Sequence, residues 1–250
     1  KSGGIGNWQP LGPFNYISTD SWSPGTGRVN CITGDPNNSN IIYIGAPAGG
    51  IWKTVDAGVT WTPLGDEFST IGISGITIDP NNSNVIYLCT GDTDGGDTYS
   101  IGILKSTDGG TSWTSIGNIN ANQTTEIIID PNNSSILYLC CSSGVLKSTD
   151  AGNSWTSILN GNIRDIDMKP GNASTLYAVT SEVFHVSTDG GASWNTTTNG
   201  LPNSSGRLCI ATTPANDGYV YVLSANTANG FQGLYLSTDS GNSFNATNTS

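Results

Sequence analysis

The chain has little charge, and least of all positive charge. Only 11% of its 250 residues are charged, and eight Lys and Arg face 19 Asp and Glu, which gives a formal net charge of −11. Nucleic acids and anionic membrane surfaces attract basic patches, so this composition argues against both as partners. No apolar run approaches the roughly 20 residues of a membrane-spanning helix, so we expect no membrane insertion.

Residues suited to redox or metal chemistry are also scarce. The chain has one His and five Cys. Five cysteines cannot all pair in disulfides, and four of them lie in strand-like apolar runs, where Cys acts as a small buried hydrophobe. His185 aligns with apolar positions of the repeat described next. The sequence therefore predicts no cofactor, with one Ca²⁺ candidate considered at the end of this subsection.

Turn-forming residues are abundant, and they repeat. The chain has 33 Gly and 11 Pro, and one octapeptide pattern occurs five times: TVDAGVTW, STDGGTSW, STDAGNSW, STDGGASW and STDSGNSF. Each copy follows a turn that contains a proline, with Ile four positions before that proline and Tyr seven positions after it. The Ile and Tyr runs are typical of β-strands, and Pro and Asn supply the turn between them.

Each repeat accounts for four short antiparallel strands, which we name A to D. Strand A holds the Ile, strand B the Tyr, strand C leads into the octapeptide, and strand D begins at its last residue. A four-stranded unit of about 40–50 residues is a propeller blade. The sequence predicts an all-β propeller that occupies residues 1–250 as a single domain, with five complete blades at about 28–64, 74–116, 125–158, 165–197 and 207–246.

The octapeptides fit S/T-x-D-x-G-x-S/T-W/F, which resembles the Asp-box (BNR) repeat. The longer text GRVNCITGDPNNSNIIYIGAPAGGIWKTVDAGVTW resembles the sortilin-type and xyloglucanase-like propellers of secreted, Bacteroidetes-type proteins. The resemblance implies a secreted or cell-surface protein and a structural role for each box, whose Asp bonds turn amides and hydroxyls while its aromatic residue packs. These structural residues are Asp56, Asp108, Asp150, Asp189, Asp239, Trp61, Trp113, Trp155, Trp194 and Phe244.

A lone strand is predicted before the first blade. The run WQPLG at residues 8–12 matches WTPLG at residues 61–65, which begins a strand D. We therefore interpret residues 1–27 as the outer strand of a closing blade followed by a linker. Twenty-one strands are not a multiple of four, so we expect a larger ring of six or more blades, with further blades from the same parent chain.

Binding is expected at the end of the propeller opposite the octapeptides. The B–C connections at residues 90–102 and 224–233 are the longest of their kind, and variable loops on a rigid scaffold often carry function. Tyr99 and Phe231 lie in these loops and are candidates for stacking on a sugar ring. Arg28 and Arg207 stand near the start of strand A, at the same end, and are further binding candidates.

Two carboxylates are candidates for glycoside chemistry, which needs a pair at roughly 5–10 Å. Glu126 and Asp165 both stand five positions before their turn proline, on adjacent innermost strands, and Arg164 is beside them. An alternative is that both simply pair with Arg164. Three acidic residues of the longest loop, Asp92, Asp94 and Asp97, form an oxygen-rich run that suits Ca²⁺.

The leading hypothesis is a secreted or cell-surface propeller module without catalytic activity that binds a glycan or an extracellular protein through its B–C and D–A loops. A glycoside hydrolase of the sialidase or xyloglucanase kind is the first alternative. A structural component of a surface assembly or filament is the second. Fold resemblance alone does not decide among these three.

Overall fold

A computed structural model describes residues 28–65, 68, 71–93, 95–96, 98–119 and 123–249 of the chain. These residues form twenty β-strands and no helix. The strands make five four-stranded antiparallel sheets, and within each sheet neighbouring strands follow chain order. The prediction of a propeller with five complete blades is therefore confirmed. The strand predicted at residues 8–12 lies outside the described residues.

Each sheet is one blade, and its four strands are strands A to D. Blade 1 contains β1 (Cys31–Asp35), β2 (Asn38–Ala46), β3 (Gly50–Thr54) and β4 (Thr62–Leu64). Blade 2 contains β5 (Ile73–Asp79), β6 (Asn82–Thr90), β7 (Ile103–Ser106) and β8 (Thr114–Ile116). Blade 3 contains β9 (Thr124–Ile129), β10 (Leu137–Cys141), β11 (Gly144–Ser148) and β12 (Thr156–Asn160).

The last two blades follow the same plan. Blade 4 contains β13 (Asp165–Met168), β14 (Leu176–Val179), β15 (Phe184–Ser187) and β16 (Asn195–Thr197). Blade 5 contains β17 (Arg207–Thr212), β18 (Val220–Ala225), β19 (Phe231–Ser237) and β20 (Asn245–Thr249). The A strands of successive blades contact one another, so they surround the centre of the propeller.

The hydrophobic core is divided into four clusters, one between each pair of neighbouring blades. In the cluster between blades 1 and 2, Tyr43 and Ile51 of blade 1 pack on Ile73 and Ile76 of blade 2. The other three interfaces are built in the same way. The Ile and Tyr positions repeat because each sheet has two faces, and alternate residues of a strand point to opposite neighbours.

Each octapeptide forms a closed hydrogen-bonded turn, as the one from residue 148 to residue 155 illustrates. Asp150 accepts the amide of Ser154 at 2.8 Å and its hydroxyl at 2.6 Å, and the hydroxyl of Ser148 at 2.8 Å. These donors, with the Ser154 hydroxyl contributing most, lower the pKa of Asp150 to about 2. The other four Asp residues of the octapeptides make the same kind of bonds.

The octapeptide turn also joins neighbouring blades. The carbonyl of the residue after its Asp accepts a Tyr hydroxyl and a Lys ammonium from the preceding blade. For Gly190 in blade 4, the donors are Tyr138 at 3.3 Å and Lys147 at 2.8 Å. Blades 1 and 2 supply Tyr43, Lys53, Tyr87 and Lys105 to the following turns in the same way. The conserved spacing within the chain thus serves contacts between blades as well as the turn itself.

Candidate functional site

The B–C and D–A connections lie at one end of the propeller, and the octapeptides lie at the other. This follows from the strand order, because an antiparallel meander returns to the same end after every two strands. We use the term variable-loop face for residues 90–102 and 224–233 together with the residues that open the five A strands.

A central pocket of about 270 Å³ lies where the A strands begin. Its lining comes from all five blades and includes both candidate carboxylates. The polar and charged lining residues are Asn30, Thr33, Ser74, Thr125, Glu126, Arg164, Asp165 and Arg207. A larger cavity of about 400 Å³ lies toward the other end, but prolines, glycines and aliphatic side chains make up most of its wall. The smaller pocket therefore offers more groups that can recognise a polar ligand.

Glu126 and Asp165 meet in this pocket through a direct hydrogen bond between their carboxyl groups. Each also bonds the free edge of the next blade: Glu126 accepts the amide of Ile166 at 3.4 Å, and Asp165 accepts the amide of Ile210 at 2.8 Å. The A strand is an edge strand, so its outward amides have no partner within their own sheet. The two carboxyl groups satisfy these amides and connect blades 3, 4 and 5.

A third carboxylate, which the sequence reasoning missed, acts in the same way. Asp167 accepts both the amide of Thr212 at 2.8 Å and its hydroxyl at 2.9 Å. It lies two residues after Asp165 on the same strand, so both side chains face blade 5. In the sequence, this spacing of two residues within one predicted strand indicates that Asp165 and Asp167 share a face.

Two carboxyl groups of this cluster, those of Glu126 and Asp167, have raised pKa values. Burial and the neighbouring Asp165 carboxylate raise the pKa of Glu126 well above its ordinary value. Both effects favour the protonated form of Glu126. Burial likewise raises the pKa of Asp167.

The three arginines do not converge on one point. Arg164 and Arg207 both line the central pocket, whereas Arg28 pairs with Asp92 of the long loop in blade 2. The alternative was that Glu126 and Asp165 both pair with Arg164. Their contacts are different: Glu126 bonds Asp165, and each of the two carboxyl groups accepts a backbone amide.

Of the three residues proposed for Ca²⁺, Asp92 lies within the described residues, and its carboxylate already has hydrogen-bond and ion-pair partners. It is 1% exposed, and its carboxylate accepts Arg28 and the amide of Gly95 at 3.1 Å. Asp94 and Asp97 lie outside the described residues. Over the part of the chain that the structure describes, no group of three or more His, Cys, Asp or Glu is placed to hold a metal ion.

Two aromatic side chains project from the variable-loop face. Tyr99 is 91% exposed and Phe231 is 46% exposed. The loop beneath Tyr99 is braced on both sides: the hydroxyl of Thr98 donates to the carbonyl of Pro47 at 2.6 Å, and Ser100 lies 3.2 Å from the hydroxyl of Thr90. Tyr99 therefore projects from the surface between two bonded neighbours, of which Thr98 is buried and Ser100 is half-buried.

Phe231 is presented by a tight turn at the start of β19. Asn226 closes this turn, because its side-chain oxygen accepts the amides of Ala228 and Gly230, each at 2.9 Å. The amide of Asn226 also donates to the carbonyl of Gly230 at 2.8 Å. Both aromatic residues thus stand on short, internally bonded segments of the same end of the propeller.

Comparison with known proteins gives a fold and one local sequence match. No family model matches the chain. A xyloglucanase from Hypocrea jecorina (strain QM6a) is 46% identical over 48 residues, which are 19% of this chain and 6% of that protein.

Solved structures are similar over most of the chain. A GH74 enzyme from Niastella koreensis is 20% identical, with a TM-score of 0.68 over 87% of this chain and 38% of its own. A GH74 xyloglucanase from Xanthomonas campestris is 18% identical, with a TM-score of 0.68 over 88% of this chain and 37% of its own. The chain thus spans well under half the length of these proteins. At such identities the comparison shows the β-propeller fold.

The described residues contain no helix that is long and apolar enough to cross a bilayer.

Proposed function

We propose that this propeller is an extracellular, non-catalytic module that binds a β-linked glucan chain through its variable-loop face. The observation that carries the proposal is the exposure of Tyr99, at 91%, on a loop that buried contacts hold in place. An exposed aromatic ring on a rigid support can stack on a pyranose ring without a large ordering cost. The local match to a protein named xyloglucanase supports the choice of glucan.

The arrangement of the carboxyl groups supports binding over hydrolysis. A glycosidase needs one carboxyl group that protonates the leaving oxygen and another that acts on the opposite face of the sugar. Glu126 and Asp165 instead bond each other and the backbone of the next blade. We therefore assign both, together with Asp167, to the contacts between blades. The resemblance to Asp-box propellers is compatible with this function, and it underlies the proposed extracellular location.

A glycoside hydrolase remains the second candidate, because the named relative and the similar structures include xyloglucanases. One experiment separates the two. The purified chain is titrated with xyloglucan, mixed-linkage β-glucan and xylan by calorimetry, and the same mixtures are assayed for new reducing ends. Binding without new reducing ends supports the proposal. Reducing ends that disappear in Glu126→Gln or Asp165→Asn would favour the hydrolase.

The binding face is tested by substitution. We expect Tyr99→Ala to weaken glucan binding about 2- to 13-fold, the range given by the roughly 0.5–1.5 kcal/mol of an aromatic contact. Tyr99→Trp should restore it. The control is Val59→Ala, because Val59 is 81% exposed but belongs to an octapeptide at the opposite end. Equal affinity for the Tyr99→Ala and Val59→Ala variants would contradict the proposal.

A further inference from the structure

The longest B–C connection, residues 90–102 of blade 2, is fastened to blade 1 by two side chains, and we call it the long loop. The carboxylate of Asp92 forms an ion pair with Arg28, which precedes β1. The hydroxyl of Thr98 donates to the carbonyl of Pro47, which follows β2, at 2.6 Å. Both anchors are buried, since Asp92 is 1% and Thr98 is 9% exposed. The position of the long loop is therefore set by the neighbouring blade as well as by its own.

Asp92 also organises the long loop internally. Its amide donates to the carbonyl of Thr98 at 3.0 Å. Its carboxylate accepts the amide of Gly95 at 3.1 Å in addition to the guanidinium of Arg28. Thr98 immediately precedes Tyr99 in the chain. A continuous series of contacts therefore leads from Arg28 through Asp92 to the residue beside the exposed tyrosine.

Backbone encloses both anchoring contacts closely. A methyl group on Gly95 would lie 2.7 Å from Oδ2 of Asp92. A methyl group on Gly72, which lies just before β5, would collide with Oγ1 of Thr98 and with the carbonyl oxygen of Pro47. Glycine lets the backbone approach these polar groups, so the two contacts are part of the packing of blade 2 on blade 1.

The composition of the long loop explains why its position depends on these anchors. Four of its 13 residues are glycine, which leaves the backbone more conformational freedom than any other residue does. An aromatic ring on a mobile loop loses that freedom when it binds a ligand, and the affinity is lower as a result. A buried carboxylate that loses its charged partner is also unfavourable, and the loop can relieve this by opening toward water. Loss of the ion pair should therefore release the long loop.

We propose that Arg28 and Asp92 are positioning residues for the glucan site. Their ion pair between blades 1 and 2 holds the long loop in the arrangement that presents Tyr99 to the ligand, and neither residue touches the glucan. The inference rests on the proposed function for the identity of the ligand, whereas the holding of the loop rests on the contacts above. Arg28 thus changes from the ligand contact expected from the sequence to a group that acts through Asp92.

Hydrogen exchange followed by mass spectrometry tests the loop without any ligand. In Arg28→Gln, peptides that cover residues 90–102 should exchange about tenfold faster than in the wild type, because the loop opens locally. Arg28→Lys keeps a positive charge within reach of Asp92 and should restore most of the protection. Glu182→Gln is the matched control, a charge change at an exposed residue of the B–C connection of blade 4, and should leave the long loop unchanged. Unchanged exchange in Arg28→Gln would overturn the proposal.

Calorimetry with xyloglucan shows whether the ion pair acts through Tyr99. Arg28→Gln should weaken binding by at most the loss seen in Tyr99→Ala, which is about 2- to 13-fold. The double variant should bind no more weakly than Tyr99→Ala alone, because a ring that is absent cannot also be misplaced. Losses that add in the double variant would mean that Arg28 contacts the glucan directly, and they would overturn the positioning role.

A second variant covers the case in which Arg28→Gln does not fold. Thr98→Val removes the other anchor without leaving a buried charge unpaired, so it should loosen the long loop and weaken binding. A Thr98→Val variant with the exchange and the affinity of the wild type would contradict the proposal. Wild-type protein that binds no glucan would refute the proposed function, while the exchange comparison would still decide whether the ion pair holds the loop.

Discussion

The raised pKa of Glu126 makes a quantitative prediction about pH and stability. The perturbation is Glu126→Gln. Glutamine can donate a hydrogen to Asp165 and accept the amide of Ile166, so it reproduces both bonds of a protonated Glu126 without titrating. The titratable groups around Glu126 are Asp167 and the thiols of Cys31, Cys89 and Cys140, and Arg164 and Arg207 line the same pocket.

The sign follows from the raised pKa of Glu126. The folded chain binds this proton more tightly than the unfolded chain, in which Glu titrates near ~4.3. The contribution to stability is therefore complete below ~4.3 and is lost as the pH rises through the folded pKa. One proton gives a slope of at most ~1.4 kcal/mol per pH unit in this window.

We therefore expect Glu126→Gln to match the wild type near pH 4 and to be more stable than it near pH 8. Each pH unit of full slope corresponds to a difference of about 3–5 °C in melting temperature, since 1 kcal/mol is worth about 2–4 °C in a chain of this size. The assay is urea unfolding followed by tryptophan fluorescence at several pH values. Glu182→Gln, the same change at an exposed position, is the matched control and should shift stability by less than ~0.5 kcal/mol throughout. If Glu126→Gln is less stable than the wild type at pH 8, the raised pKa of Glu126 is refuted.

The remaining predictions concern the octapeptides. Gly110→Ala should destabilise the chain by about 1–3 kcal/mol more than Gly171→Ala in urea unfolding, since both positions have positive φ but only Gly110 is packed against Leu64; equal losses would contradict the packing. Asp150→Asn should lower stability at neutral pH, because the pKa of Asp150 is held at about 2 by hydroxyl and amide donors. That deficit should shrink as the pH falls from ~3.9 through 2, where the wild-type carboxylate also becomes protonated, and a pH-independent deficit would argue against the bonds to the charged form.

Much of the fold could be predicted from the sequence because the repeat is built from local patterns. The octapeptide encodes its own turn: Asp150 accepts hydrogen bonds from both Ser148 and Ser154, within seven residues. The Ile and Tyr positions follow from the alternation of a strand, which is also local. Because the pattern occurs five times, a strand position that is ambiguous in one repeat can be assigned from the other four.

The site was less predictable, because its contacts join distant parts of the chain. The sequence places Glu126 and Asp165 together because they occupy equivalent positions in neighbouring repeats. It does not predict that they bond each other, or that they accept the amides of Ile166 and Ile210. Asp92 was grouped with its loop neighbours, whereas the structure pairs it with Arg28, 64 positions away. Loop composition gives no information about such partners.

By itself, the sequence determined the class of fold, the strand order within each blade and the end of the propeller that carries variable loops. These depend on turn chemistry and strand periodicity, which act over a few residues. Tertiary structure alone decided which carboxyl groups meet, which backbone amides they accept and which aromatic side chains reach solvent. Those properties depend on the packing of one blade on the next, and therefore on residues about 40 to 65 positions apart in the chain.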